Sequence, residues 1–208
     1  MIPFSVEVFF ASLEDYNAAI WPRQILFMLL GVACVWFALH PSRRRGQLAG
    51  LVLAAAWLHT AITYHFGYFA ELNFWDYGIG TAFLIQAILI LIWLWRGKFS
   101  AAEQSHVAAA FTSAGLLLMP NSVFLFGRGF TETGWFGCAP VPTIVFTAGA
   151  LMFAAPGSFA LWLLPVVLSL AALVPALGVP AYEDLLAALV PLVIIYLIAT
   201  HWKNNVRE

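Results

Sequence analysis

Long apolar runs fill most of this chain, and charge is confined to the gaps between them. That partition constrains the fold more than any motif, because a run of about 20 apolar residues, rising 1.5 Å each, is what crosses a bilayer as a helix. The gaps also alternate in sign. Arg43, Arg44 and Arg45 follow the first run, Arg96 and Lys98 the third, and Lys203 with Arg207 the last, so seven of the nine basic residues share one side. Glu7, Glu14 and Asp15 precede the first run, while Glu71 with Asp76, Glu132, and Glu183 with Asp184 occupy the gaps after the second, fourth and sixth. Eight of the ten acids therefore lie opposite the bases. Cytoplasmic loops retain Lys and Arg. The pattern predicts an odd number of passes, seven by count of the runs, with the N-terminus outside and the C-terminus in the cytoplasm.

The expected architecture is an all-α polytopic membrane helix bundle forming one domain over 1–208, with spans near 20–39, 47–69, 78–95, 106–126, 141–155, 158–177 and 184–200. Composition agrees, since 63% apolar against 9% charged residues is far from the balance of a soluble domain. Residues 4–19 read as a helix of another kind. Phe9, Leu13, Tyr16 and Ile20 recur on one face and Glu7, Ala11, Glu14 and Ala18 on the other, the pattern of an amphipathic segment lying in the interface. Its acidic polar face suits the outer leaflet, and the missing basic n-region predicts no cleaved signal peptide. Cys34 and Cys138 lie far apart in this topology, so no disulfide is expected between them.

Pro120, Pro165, Pro175 and Pro191 interrupt the fourth, sixth and seventh spans, where each removes a helical hydrogen bond and predicts a bend. Gly46, Gly50 and Ala54 make a small-residue stripe on span two that admits a close neighbour. The fifth span is short. Before it, Pro140 and Pro142 deny the backbone two donors and push Ala139 and Val141 toward extended conformations. The expectation is a helix starting at Pro142 or Thr143, with Gly137–Pro142 extended and forming the floor or gate of a site.

No charged side chain is placed near the middle of a span. The polar groups at depth are His59 and His65 in span two, Gln86 in span three and Asn121 beside Pro120 in span four. Six residues of α-helix set the two histidines about 120° apart, so they cannot jointly hold one ion from a single helix. As plain structural groups, His59 would bond a neighbouring helix and His65 a loop carbonyl. The outer loop carries Arg128, the sole base in an outer connection, with Glu132 four residues later, which reads as an ion pair. The same glycine-rich loop also reads as the lid of an outward-facing cavity, with Cys138 as a soft ligand or reactive thiol. The candidate substrate-binding set is His59, Tyr64, His65, Asn73, Gln86, Asn121, Arg128, Glu132, Pro140, Pro142 and Thr143; no catalytic or metal-ligating set stands out.

At these residues the chain resembles a bacterial family of uncharacterised multi-pass membrane proteins, known by a domain-of-unknown-function label. The resemblance rests on Tyr16-Asn17, Trp21-Pro22, Tyr64-His65 with Phe69 and Leu72-Asn73, Gln86, Ala139-Pro140-Val141-Pro142-Thr143 with Phe146-Thr147, Trp162, Pro165, Gly178-Val179 and Asp184. Members of that family often carry Cys between the two prolines. This chain has Val141 there and Cys138 three residues earlier, which weakens a metal-ligand reading. The resemblance implies a membrane fold, in the bacterial inner membrane, and no established activity.

Missing residues exclude one class and place another last. A retinal-type photoreceptor needs a Lys buried in its last span, whereas Lys98 and Lys203 fall in cytoplasmic segments. An intramembrane zinc hydrolase needs several His and an Asp converging on the metal; only His59 and His65 lie at suitable depth and span seven has no spaced His pair, so a metalloenzyme stands as the second alternative. The remaining readings are a small-solute transporter or permeation protein, favoured by proline-broken spans around isolated polar groups, and a non-catalytic complex subunit or sensor. The missing buried charge argues against ion or proton coupling. Expected partners are the lipid bilayer, a small molecule in an outward-facing cavity and further copies packed through the small-residue faces; no cofactor and no nucleic acid are called for.

Overall fold

The computed structural model of the chain describes residues 5–101, 105–155, 157–176, 182–195 and 197, and every regular element among them is helical. The first helix, α1 (Val6–Ala19), starts where the Ser5 side chain accepts the Val8 amide, a helix N-cap that satisfies one of the open donors of the first turn. It buries Leu13, Tyr16 and Asn17 and leaves Glu7, Ala11, Glu14 and Ala18 exposed. The chain then turns by 83° into α2 (Arg23–Leu39).

Ser42 caps α3 (Arg43–Leu72) through the Arg45 amide. The stretch Thr60–Phe69 of α3 takes π-helical pairing, each amide reaching five residues back. That pairing lines up Thr60 with His65, and both are buried. Next come α4 (Trp75–Trp95) and α5 (His106–Phe126). Within α5 a π turn over Ala114–Leu118 stands just ahead of Pro120, where the proline ring would otherwise crowd the preceding turn. Then follow α6 (Pro140–Ala154), a 3-10 turn over Phe159–Trp162, α7 (Leu163–Ala176) and α8 (Asp184–Ile195).

By length and composition, α3, α4 and α5 can each cross a membrane, and the bent α1–α2 pair makes a fourth if taken as one span. The shorter α6 is the centre of the bundle. Thirteen of its fifteen residues are buried, as expected of a helix that is apolar all round. Small residues let neighbours close on it. A Cβ on Gly115 would strike Phe146, and one on Gly149 would strike the Thr112 backbone. Trp57 of α3 donates its indole N–H to the Thr147 hydroxyl at 2.8 Å, and that hydroxyl donates in turn to the Thr143 carbonyl at 2.7 Å.

Contacts sort the loops into two ends. At one, the Ser100 amide donates to the Ala154 carbonyl and the Ser105 amide to that of Ala38. Gly46 lies against Ser100 and Ala101 there, and Gly50 against Phe99, so part of the small-residue stripe is filled by this chain itself. At the other end, Tyr16 donates to the Cys138 carbonyl, and Asn17 to those of Thr131 and Thr133. Arg43, Arg44, Arg45, Arg96 and Lys98 thus gather at the first end, and Glu14, Asp76 and Glu132 at the second. Around the sides the bundle exposes large apolar residues, among them Leu29, Val32, Ile85, Ile88 and Leu91.

One expectation is overturned. Both prolines lie inside the helix, with Pro140 its first residue and Ala139 the extended residue before it (φ −133°, ψ 155°). The first turn has no intrahelical acceptors for its amides, so prolines there forfeit nothing. Val141 is helical, not extended. The close of the expected sixth span, the end of the seventh, and Lys203 and Arg207 lie outside the described residues.

Candidate functional site

A cavity of about 440 Å³ lies at the end of the bundle that carries Asp76 and Arg128. Its size falls within the roughly 300–1,000 Å³ of small-molecule sites. The walls are mainly aromatic and aliphatic, from Phe9 and Leu13 of α1, Phe69 of α3, Phe83 of α4 and Leu168 of α7. Set into them are His65, Asn73, Asp76, Tyr64, Arg128 and Asp184, from parts of the chain far apart in sequence.

The centre of this polar group is a pair. His65 Nδ1 lies 2.7 Å from Asp76 Oδ1, and both residues are buried, His65 with only 1% of its surface exposed. The π stretch of α3 supplies the histidine and the first turn of α4 the aspartate, where the helix dipole favours a carboxylate. Asn73 holds the aspartate from behind. Its Nδ2 donates to Asp76 Oδ2 at 3.0 Å while its Oδ1 accepts the Trp75 amide at 3.3 Å, a turn in which side chain and helix start are fixed together. Gly80 makes the approach feasible, since a Cβ there would sit 2.7 Å from the His65 Cβ. The far ring nitrogen of His65, Nε2, is buried and has no hydrogen-bond partner.

Around the pair, the Tyr64 ring stacks on Phe69 at 4.1 Å and meets His65 edge-on at 5.0 Å. Arg128 places its guanidinium over Phe10, 4.6 Å from the ring centre, and 5.6 Å from that of Phe126. Such cation–π contacts hold a guanidinium against an aromatic wall.

Of the eleven residues expected at a site, Tyr64, His65, Asn73, Arg128, Pro140 and Pro142 line this cavity. The other five serve elsewhere. His59 Nδ1 bonds the Gly137 carbonyl at 2.7 Å. Gln86 donates to the Leu161 carbonyl, and Asn121 to that of Leu117 one turn back in its own helix. Glu132 accepts the Gly129 amide at 2.8 Å within its own loop. Thr143 accepts the Gly137 amide at 2.9 Å and donates to the Ala139 carbonyl at 2.7 Å, pinning the loop to the start of α6. The expected histidine partners are therefore exchanged: His59 takes the loop carbonyl and His65 the side chain of another helix.

Two acids were missed as site residues, Asp76 and Asp184. Both stand at helix starts, where an acid in sequence reads as solvated loop. The only legible signal was the Asn73–Asp76 spacing at the head of an apolar run. Asp76 also supplies the buried carboxylate whose absence had argued against coupling. Cys138 is not the reactive thiol envisaged. It is free and fully buried, and burial pushes the thiol up to about 12, which leaves it protonated at neutral pH. Among the described residues, no group of three or more His, Cys, Asp and Glu is placed to hold a metal ion.

Residues 6–208 match a protein family described as a family of unknown function, DUF6064. No curated protein and no solved structure matches the chain.

Proposed function

From the premise that the chain belongs to the DUF6064 family over residues 6–208, whose activity is not assigned, we propose that it is a multi-pass membrane protein that takes small amphipathic solutes into an outward-facing cavity, as a transporter or permeation protein. The observation that carries this reading is the cavity itself: about 440 Å³, apolar-walled, with polar side chains from distant parts of the chain converging in it. The membrane placement is supported by the apolar flanks, with Leu29 64% exposed. Soluble monomers rarely leave such surface in contiguous patches. Trp75 and Trp95, exposed by 78% and 86% at opposite ends of α4, suit the headgroup levels of the two leaflets.

In this reading the chain passes seven times, with the end bearing Arg43 to Arg45, Arg96 and Lys98 in the cytoplasm and the cavity outside. The short α6 is surrounded by protein, so its length of about 22 Å does not have to match the hydrocarbon by itself. α1 lies along the outer surface and covers one side of the cavity.

The test is ligand stabilisation of the purified, detergent-solubilised protein by small aromatic and branched compounds of positive, neutral and negative charge. Binding to the folded form raises the unfolding midpoint. At least one compound is expected to do so, to lose its effect in Ala172→Trp, which fills the cavity, and to cross into proteoliposomes faster than into empty vesicles. No stabilisation by any compound would remove the cavity reading, and stabilisation without faster entry would leave a binding or sensing subunit in place of a transporter.

A further inference from the structure

The charge and hydrogen-bond polarity of the cavity define the head group it accepts. A carboxylate offers only acceptors, so the 2.7 Å contact with Asp76 Oδ1 places a proton on His65 Nδ1. Asp76 Oδ2 is engaged by Asn73 at 3.0 Å, which ties both carboxylate oxygens. Nε2 then carries either a lone pair or, in an imidazolium, a second N–H. That atom is buried without a partner; in the neutral ring, whose proton Asp76 holds on Nδ1, it presents an acceptor. Among the described ionisable side chains lining the cavity, two carboxylates, Asp76 and Asp184, face one guanidinium, Arg128, a balance that disfavours anions. Phe9, Phe69 and Phe83 line the same space, and aromatic rings attract ammonium groups.

We propose that the cavity binds a protonated amine carried on an aromatic or branched apolar body, its N–H donated to His65 Nε2, with Asp76 and Asn73 as positioning residues that fix the histidine tautomer. This specificity rests on the reading of the cavity as a ligand site. Swapping one atom of the positioning pair should invert it. In Asp76→Asn, the new amide can accept from Asn73 through its oxygen and donate to His65 Nδ1 through its nitrogen, which drives the ring proton to Nε2 and turns the acceptor into a donor.

The experiment compares 2-phenylethylamine, phenylacetate and ethylbenzene by ligand stabilisation and calorimetry on the full chain in detergent, wild type against Asp76→Asn. Nitrogen-15 spectra of histidine-labelled protein read the tautomer independently. The wild type is expected to prefer the amine over the carboxylate by about tenfold or more, as befits a charge-assisted hydrogen bond. Its His65 Nε2 should resonate as a bare nitrogen. In Asp76→Asn the Nε2 should become protonated and the preference should reverse toward the carboxylate. A wild type that binds phenylacetate as tightly as the amine would overturn the proposal, and so would an unchanged preference in a variant whose ring proton has moved. Should Asp76→Asn not fold, the wild-type preference and the wild-type spectrum decide by themselves. If none of the compounds of any charge binds, the cavity reading itself fails, a result distinct from binding with the wrong preference.

Discussion

Gly137 and Gly127 both adopt positive φ, at 73° and 67°, yet their surroundings differ entirely. A Cβ on Gly127 would meet nothing, whereas one on Gly137 would enter the Phe27 ring. Gly127→Ala carries only the left-handed backbone penalty, about 1–2 kcal/mol. Gly137→Ala adds the overpacking of Phe27, about 1–3 kcal/mol more, and the unfolding midpoints of the two variants in detergent are expected to separate in that order. Equal midpoints would mean that Phe27 moves aside freely. Cys138, next in the chain, carries a second expectation. Because burial raises its thiol to about 12, the reactive thiolate gains only where pH rises toward that value; at pH 8 a maleimide should leave it unmodified until the protein is unfolded.

The element that organises the bundle is α6, and the Trp57–Thr147 hydrogen bond is one of those that tie it to α3. Trp57 is fully buried, so Thr147→Val would strand its indole N–H at a cost of about 1–3 kcal/mol. Removing both partners leaves no orphan. A double-mutant cycle of Thr147→Val with Trp57→Phe is expected to show a coupling of about 1 kcal/mol or more; strictly additive effects would show that the bond contributes nothing to holding α6. The threonines of α6 were legible in sequence only as polar interruptions. What each hydroxyl bonds depends on α3 and the 137–139 loop, which are remote in the chain. The helix start was misread for a local reason, since two prolines two apart break a helix interior but fit a first turn.

For the whole molecule, the gathering of Arg43, Arg44, Arg45, Arg96 and Lys98 at one end, with Arg23 and Arg128 among the acids at the other, makes the orientation testable. Cysteines introduced at Ser42 and Ser100 are expected to be shielded from an impermeant thiol reagent in intact cells, and one at Thr131 to be labelled. The native thiols do not interfere, because Cys34 and Cys138 are both fully buried. Labelling in the reverse pattern would invert the topology, and labelling at all three would remove the membrane placement.

Apolar run length and 3.6-residue periodicity are local quantities, so the helical class and the inward face of α1 were legible in the sequence. It also pointed to Tyr64, His65, Asn73, Arg128, Pro140 and Pro142, since polar residues and prolines stand out against an apolar background. Only the tertiary structure decided that these six share one cavity, that His65 bonds Asp76 rather than a carbonyl, and that Gln86, Asn121 and Glu132 bond elsewhere. The reason is physical. A polar side chain in an apolar surround takes whichever partner the packing brings within about 3 Å, and packing here is set by close approaches at Gly80, Gly115 and Gly149 between segments that sequence spacing does not connect.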